Sequence, residues 1–340
     1  MLITKEPIFR RFWYPTLRLA ELADGPRGFT LLGQDIVLWQ RQDGTPAALE
    51  DKCPHRSVKL SVDSLIVDDT LRCGYHGWRF DGGGTCVLVP QAPDTAPPAR
   101  NAVTCYHCTE RYGYVWVCLE EPVRDIPHLP FSDDPAFRQV FEYDQQWNAN
   151  ALRIAENALD LSHVSFVHRV TFGEDDNPVA PPLTLFDVED GIGIECELQV
   201  ANRDDQQKNL NIADDHTMRF MRIQWLMPTL FTLRLKYPTG LIHQIVGFAT
   251  PIDDQRSHRC QFVFRNDTEE DAPGAEIAAF DMRVAAEDRR ILESCGPDYP
   301  LDLHAEAHMW LDRPGIEMRK MLAGWLNGPP EERHYEAAAE

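Results

Sequence analysis

The chain has 340 residues, with 54 Asp or Glu against 33 Lys or Arg and a formal charge of -21. That imbalance repels a nucleic-acid backbone or an anionic membrane over most of the surface, so neither is expected as a partner. The length favours two domains, each large enough for its own core.

The opening MLITKEPIFRRFWYPTLRLAEL has no apolar stretch behind its basic residues, and the longest apolar runs, such as residues 115–119, are too short to cross a bilayer. A cytoplasmic location is expected. In that reducing compartment the nine cysteines do not read as a disulfide framework, so each is a small buried residue or a metal ligand. The acidic clusters at 174–176, 214–215 and 269–271 read as solvated faces, with docking of a basic redox partner as the alternative.

From residue 28 to about 119, short runs (FTLLG, DIVLWQ, AALED, TLRCGYHGWRF, CVLVP, YGYVWVCL) are cut by Gly, Pro and Asp, which predicts an all-β module. The proline-rich VPQAPDTAPPAR inside it reads as an extended loop, because strand-like sequence resumes afterwards. Prolines and acids in EEPVRDIPHLPFSDDP place a boundary near 125, giving domains 1–125 and 126–340. The second half opens strand-like and then gives an Ala- and Leu-rich helix near 150–164. Strand candidates GIGIECELQVA, MRFMRIQWLM, LFTLRLKY, LIHQIVGFAT and RCQFVFRN follow between 191 and 266. An amphipathic helix at 274–294 and a shorter one at 313–326 precede a polar tail. Helices segregated around an antiparallel sheet make an α+β domain.

Cys53-Pro-His55 and Cys73-Gly-Tyr-His76 form a C-x-H and a C-x-x-H pair, each at the end of a strand-like run. Four such ligands suit tetrahedral zinc, but short zinc motifs usually pair Cys with Cys and His with His. Mixed pairs suit a [2Fe-2S] centre in which the cysteines bind one iron and the histidines the other, from two hairpin tips. Gly74 and Gly77 permit tight backbone beside sulfide, and Pro54 stiffens the first loop. Zinc stays open as the alternative. Cys105-Tyr106-His107-Cys108 contains a CxxC without a matching second half and reads as structural.

Asn157, Asp160 and His163 recur every three residues and share a stripe of the helix near 150–164. His168 follows five residues later, a net turn of about 140° on an unbroken helix, so the two imidazoles cannot then aim at one point. The β-branched and aromatic residues 164–167 predict that the helix loosens there and lets His168 swing back. A histidine pair alone also fits two structural histidines. In the 274–294 helix, Ile277, Phe280, Val284, Ile291 and Leu292 define an apolar face, and Asp288 falls inside or just beside it. An anion there needs a cation. Glu287 and Asp281 are alternatives to Asp288, and a salt bridge to arginine is an alternative to metal. His163, His168 and Asp288 together would make a 2-His-1-carboxylate triad with positions open for O2 on Fe(II). Asp160 can accept the other ring N–H of His163. Asn157 would lie near the iron without being a firm ligand, or is a helix-surface amide. Trp225, Phe231 and His243 are candidates for a substrate pocket, with core packing or surface placement the plainer reading of each. No GxGxxG stands in strand-to-helix context, and residues 82–84 read as a turn, so electrons must come from a separate protein.

The run CPHRSVKLS through CGYHGWRFDGGGTC resembles the cluster-binding segment of the Rieske non-haem iron oxygenases, and ERYGYVWVCL resembles the strand that closes their Rieske domain. NALDLSHVSFVH is similar to their Asn-x-x-Asp-x-x-His-x-x-x-x-His stretch, and AEDRRILES to the helix that supplies the third iron ligand, matching Asp288. The resemblance spans almost the whole chain. It implies an all-β Rieske domain and a helix-grip (START-like) catalytic domain, a Rieske [2Fe-2S] cluster on Cys53, His55, Cys73 and His76, and Fe(II) on His163, His168 and Asp288. It implies O2 as co-substrate and electrons from a ferredoxin and/or an NAD(P)H-dependent reductase. It further implies a head-to-tail homotrimer, or a trimer-based hexamer, in which Asp160 bridges His163 to the partner subunit's His76. The nearest group is the short homo-oligomeric O- and N-demethylases and monooxygenases, so hydroxylation or oxidative demethylation of a small aromatic or heterocyclic compound is expected. Arene cis-dihydroxylation by a dioxygenase is the runner-up, and a Rieske electron carrier with a non-catalytic second domain is the alternative of another class.

Overall fold

A computed structural model of the chain describes residues 1–210 and 212–326. Two compact units appear: Ile3–Ile126 and, together with Met1 and Leu2, the stretch from Pro127 onward. The polar tail expected after 326 lies outside the described residues.

The first unit is built from short strands: β1 (Tyr14–Arg18), β2 (Arg27–Leu31), β3 (Gln34–Gln40), β4 (Pro46–Glu50), β5 (Leu65–Val67), β6 (Thr70–Arg72), β7 (Arg79–Phe80), β8 (Cys86–Leu88), β9 (His107–Arg111) and β10 (Tyr114–Cys118). They pair antiparallel in three sheets, ordered β1-β10-β9, β2-β3-β4 and β5-β6-β7-β8. β1 begins before the expected start of the module, held by the Thr16 hydroxyl donating to the Val115 carbonyl at 2.8 Å. Val37, Trp39, Leu49, Leu60, Leu71 and Phe80 form a buried cluster that also contains Cys53 and Cys73. Both cysteine-bearing strand ends are therefore anchored in one apolar core.

The second unit carries β11 (Arg138–Trp147), α1 (Ala151–Asn157), α2 (Val164–Val167), β12 (Leu183–Val188), β13 (Gly191–Ala201), α3 (Asp204–Leu210), β14 (His216–Leu226), β15 (Leu230–Lys236), β16 (Ile242–Pro251), β17 (Ser257–Arg265), α4 (Gly274–Leu292) and α5 (Arg313–Leu326). The strands form one antiparallel sheet, β11-β17-β16-β15-β14-β13-β12. α4 packs on β11 and α1 on β16. Strand alternation is clean in β14, where Thr217, Arg219, Met221, Ile223 and Trp225 are buried and the intervening residues are not. Tyr143, Trp147, Ile154, Ala249, Ala285 and Leu292 join the sheet, α1 and α4 into a core.

Three local departures from expectation have physical causes. The helix near 150–164 is two helices: α1 stops at Asn157 because the Asp160 carboxylate takes the Ser162 amide at 2.7 Å and turns the chain. Residues 164–167, expected to loosen, are helical instead. On α4 the buried residues are Ile277, Asp281, Ala285 and Leu292, while Ile291 is exposed. The small Ala285 and a partnered Asp281 set that face, which hydropathy ranks poorly. β12 and α3 were not anticipated; β12 is a six-residue edge strand, and the sequence of α3, DDQQKNL, has no apolar period. Among the described residues, no helix is long and apolar enough to cross a membrane.

Candidate metal centres

Cys53 and His55 lie in the loop after β4, and Cys73 and His76 in the β6–β7 hairpin. The two loops are built alike. The Cys53 amide donates to the Val58 carbonyl at 2.8 Å and Ser57 donates back to Cys53 at 2.9 Å; Cys73 donates to Trp78 at 2.9 Å and Gly77 back to Cys73 at 3.0 Å. Ser57 and Gly77 both have positive φ, 58° and 71°. His55 and His76 meet edge-on with centroids 4.4 Å apart, and His55 stacks on Trp78 at 4.6 Å. Gly74 is needed, because a Cβ there would stand 2.6 Å from the Asp63 carbonyl oxygen. Nδ1 of His55 is buried with no hydrogen-bond partner. Burial, reinforced by the neighbouring Cys73, pushes the Cys53 thiol up to about 11. Such groups are costly alone, and iron satisfies both, so the four side chains fit a [2Fe-2S] cluster.

The second constellation is assembled by the turn between α1 and α2 and by α4. Nε2 of His163 and Nε2 of His168 are 3.2 Å apart, and Oδ1 of Asp288 lies 3.5 and 3.4 Å from them. Metal–nitrogen bonds of about 2.0–2.1 Å place neighbouring donors of one ion about 3.0–3.4 Å apart, so this triangle fits a first-row metal with its far side open. Asn157 donates to the same Asp288 oxygen at 3.2 Å. Behind the histidines stand two more carboxylates. Asp160 Oδ2 is 3.5 Å from Nδ1 of His163, and Glu287 Oε2 is 3.0 Å from Nδ1 of His168. Burial alone would depress His163, but Asp160 and Asp288 outweigh it and hold its pKa above the ordinary value. Conversely Asp160 is lowered: burial works against its charge, and His163 together with the Ser162 amide prevails.

A further set of buried donors, Glu142, His243 and Asp281, has the composition of a metal site. Its hydrogen bonding argues otherwise. Arg265 Nη1 sits 3.1 Å from Nδ1 of His243, and a guanidinium only donates, so Nδ1 accepts and the proton resides on Nε2, 3.4 Å from Asp281. Burial and the Asp281 charge raise the Glu142 pKa well above its ordinary value. Gln261 donates to Glu142 at 2.7 Å, so Arg265 and Gln261 already engage two of the three groups.

The triangle of His163, His168 and Asp288 opens on a cavity of about 160 Å³. Ile154, Met221, Ile223, Leu233, Leu235 and Ile245 supply much of its apolar wall. Of the three pocket candidates, Phe231 and His243 line it. Trp225 does not; it is fully buried and donates its indole N–H to the Pro228 carbonyl at 3.0 Å. Sequence reasoning missed two features here. Glu287 was weighed as a ligand, not as a support for His168. Arg219, a cavity residue, was detectable from the alternation of β14, which puts it in phase with Met221 and Ile223.

Residues 147–328 match the vanillate O-demethylase oxygenase C-terminal domain, and residues 12–107 match the Rieske [2Fe-2S] domain. The chain belongs to the Rieske oxygenases. This Rieske oxygenase is 30% identical over 323 residues to methylxanthine N1-demethylase NdmA of Pseudomonas putida, covering 92% of this chain and 88% of that one. It is 37% identical over 164 residues to the dicamba O-demethylase oxygenase component of Stenotrophomonas maltophilia, 47% of this chain and 48% of the relative. The structure of P. putida CBB5 NdmA with caffeine superposes with a TM-score of 0.81 at 28% identity, over 95% of this chain and 92% of that one. The Rieske oxygenase is thus an O2-using oxidoreductase with a [2Fe-2S] cluster and a mononuclear non-haem iron, acting on a small molecule with electrons from a transfer partner.

Proposed function

We propose that this chain is the oxygenase component of a demethylase that removes an O- or N-methyl group from a small aromatic or heterocyclic compound. One observation carries the reading: His163, His168 and Asp288 converge on the wall of a largely apolar cavity of about 160 Å³. An apolar cavity of about 150 Å³ takes up benzene, so this one suits a single substituted ring. The names of the relatives, a methylxanthine N1-demethylase and a dicamba O-demethylase, support the same reaction class.

In this reading Cys53, His55, Cys73 and His76 hold the cluster, and His163, His168 and Asp288 hold the iron. When bound, the iron supplies the activation of O2 and the cluster supplies electrons one at a time. The balance is R–X–CH3 + O2 + 2 H+ + 2 e− → R–XH + CH2O + H2O, with X oxygen or nitrogen, the hydroxylated methyl leaving as formaldehyde. The protein's part is positional. Asp160 and Glu287 fix the two imidazoles, Asn157 fixes the Asp288 oxygen, and the apolar wall keeps water from the reacting methyl. Electrons arrive from a ferredoxin and/or an NAD(P)H-dependent reductase. The working assembly is a cytoplasmic head-to-tail trimer in which Asp160, partly exposed, faces the partner subunit's His76.

The test is turnover of the cluster- and iron-loaded protein with a surrogate reductase, NADH and O2 on methylated aromatics and N-methyl heterocycles. Formaldehyde equal to the demethylated product is expected. A hydroxylated product that keeps its methyl carbon moves the protein to the hydroxylases, and a cis-diol to the dihydroxylases. Cluster reduction with no product from any ring compound makes it an electron carrier.

A further inference from the structure

Arg219 occupies the inward register of β14 and is 4% exposed. A guanidinium stays charged throughout the pH range of folded proteins, so its burial calls for an anion or a full set of acceptors. Among the described residues Arg219 has neither: its Nε is buried without a partner, and no ion pair or hydrogen bond engages the guanidinium. Its carbon lies 4.8 Å above the ring of Phe172 instead. The nearby Cys196 thiol supplies no anion, since burial outweighs the pull of Arg219 and pushes it up to about 11.

The other buried arginines on this cavity are engaged. Arg265 pairs with Asp267 and donates to the Asn209 carbonyl at 2.9 Å. Arg259 donates to the Cys260 carbonyl at 2.6 Å and the Gln261 side chain at 2.5 Å. Arg219 is therefore a cavity cation with its charge unanswered by the described side chains. Its position relative to the iron ligands is also fixed. Phe172 stacks on His168 with centroids 4.9 Å apart and planes 23° from parallel. Phe172 thus contacts both the Arg219 guanidinium and the His168 imidazole, so a group bound at Arg219 lies in the part of the cavity that His168 lines.

We propose that Arg219 binds a carboxylate on the substrate, making the substrate a methylated ring acid with its O- or N-methyl group directed at the iron. The carboxylate neutralises the buried cation, and the ring lies along Met221, Ile223 and Leu235. A neutral N-methyl heterocycle leaves the charge unanswered and binds weakly. The proposal rests on the demethylase reading for the identity of the reacting methyl group, and its test separates the two.

The test uses the cluster- and iron-loaded full chain and four probes, 3- and 4-methoxybenzoate and the matching methoxybenzamides. Binding is measured by calorimetry without reductase, so it does not depend on turnover. In the wild type at least one benzoate binds about 10- to 100-fold tighter than its amide, the scale of a charge-assisted hydrogen-bonded pair. Arg219→Met brings that benzoate to the level of the amide, and Arg219→Lys keeps part of the preference, with cluster absorption and iron content unchanged. Equal binding of benzoate and amide by the wild type, or no binding of either, overturns the proposal without any variant. Full benzoate affinity in Arg219→Met overturns it as well. A carboxylate preference without formaldehyde sinks the demethylase reading and leaves the Arg219 site standing; formaldehyde from neutral substrates, without carboxylate preference, does the reverse.

Discussion

The carboxylate of Glu287 lies 3.0 Å from Nδ1 of His168 and takes the Thr171 hydroxyl at 2.7 Å. Asp160 stands in the same relation to His163, at 3.5 Å. Glu287 within hydrogen-bond distance favours the proton on Nδ1 of His168, which would leave its Nε2 lone pair to a metal, while Asp160 acts on His163 chiefly through its charge. Glu287→Gln keeps the shape and removes the charge, so ferrous iron is expected to bind about 10- to 100-fold more weakly, with the cluster spectrum unaltered. An anaerobic iron titration measures this. Unchanged affinity would show that Glu287 serves Thr171 and not His168.

Removing a ligand separates the two metal centres. His163→Ala should lose the mononuclear iron and the formation of product while keeping the two irons and the red-brown colour of the cluster, because the cluster loops belong to the other unit of the chain. Iron and sulfide analysis beside the visible spectrum is the measurement. A colourless variant would mean that the two sites have been assigned the wrong way round.

Asp160 does two things at once: one oxygen takes the Ser162 amide at 2.7 Å and shapes the turn, and the other faces His163. Asp160→Asn retains an acceptor for the amide, so both metal centres should load. Loss of the charge should slow oxidation of the reduced cluster by O2 and substrate, followed by stopped-flow absorption. Wild-type cluster oxidation in this variant would refute the proposed electron bridge.

How far the sequence disclosed these features depended on how local each one is. The two Cys–His pairs stood out because each sits within one loop, and spacing alone limits what it can bind. The mononuclear site was harder. Periodicity turns both Asp281 and Asp288 inward, and nothing within α4 separates their roles. What separates them is distant in sequence: Asp281 meets His243 of β16, whereas Asp288 meets His163 and His168. The break between α1 and α2 was misplaced because β-branching at 164–167 weighed less than one Asp160–Ser162 hydrogen bond. Trp225 shares its inward phase with Arg219, but phase does not tell which inward side chain reaches the cavity and which is sealed in the core.

Arg319 of α5 is 2% exposed and holds Glu156 of α1 at 2.6 and 2.9 Å and Glu306 at 2.6 Å, tying α5 to the helix that leads toward His163 and His168. Removing this cation leaves Glu156 and Glu306 sharing Arg153 alone, so Arg319→Met should cost about 1–3 kcal/mol, seen as a lower urea midpoint. The pH dependence follows from Glu306. Burial works to raise its pKa, but Arg153 and Arg319 prevail and hold it below the ordinary value. A carboxylate lowered in the folded state contributes stability above its unfolded pKa of about 4.3 and loses it as pH falls through the folded value. In Arg319→Met that lowering shrinks, so part of the acid-sensitive stability present in the wild type above about pH 4.3 should disappear. The wild-type and variant midpoints, measured from neutral pH downward, should therefore converge on acidification. A constant gap between them at every pH would show that Arg319 stabilises α5 through packing on Tyr299, 5.0 Å below its guanidinium, and not through its carboxylates.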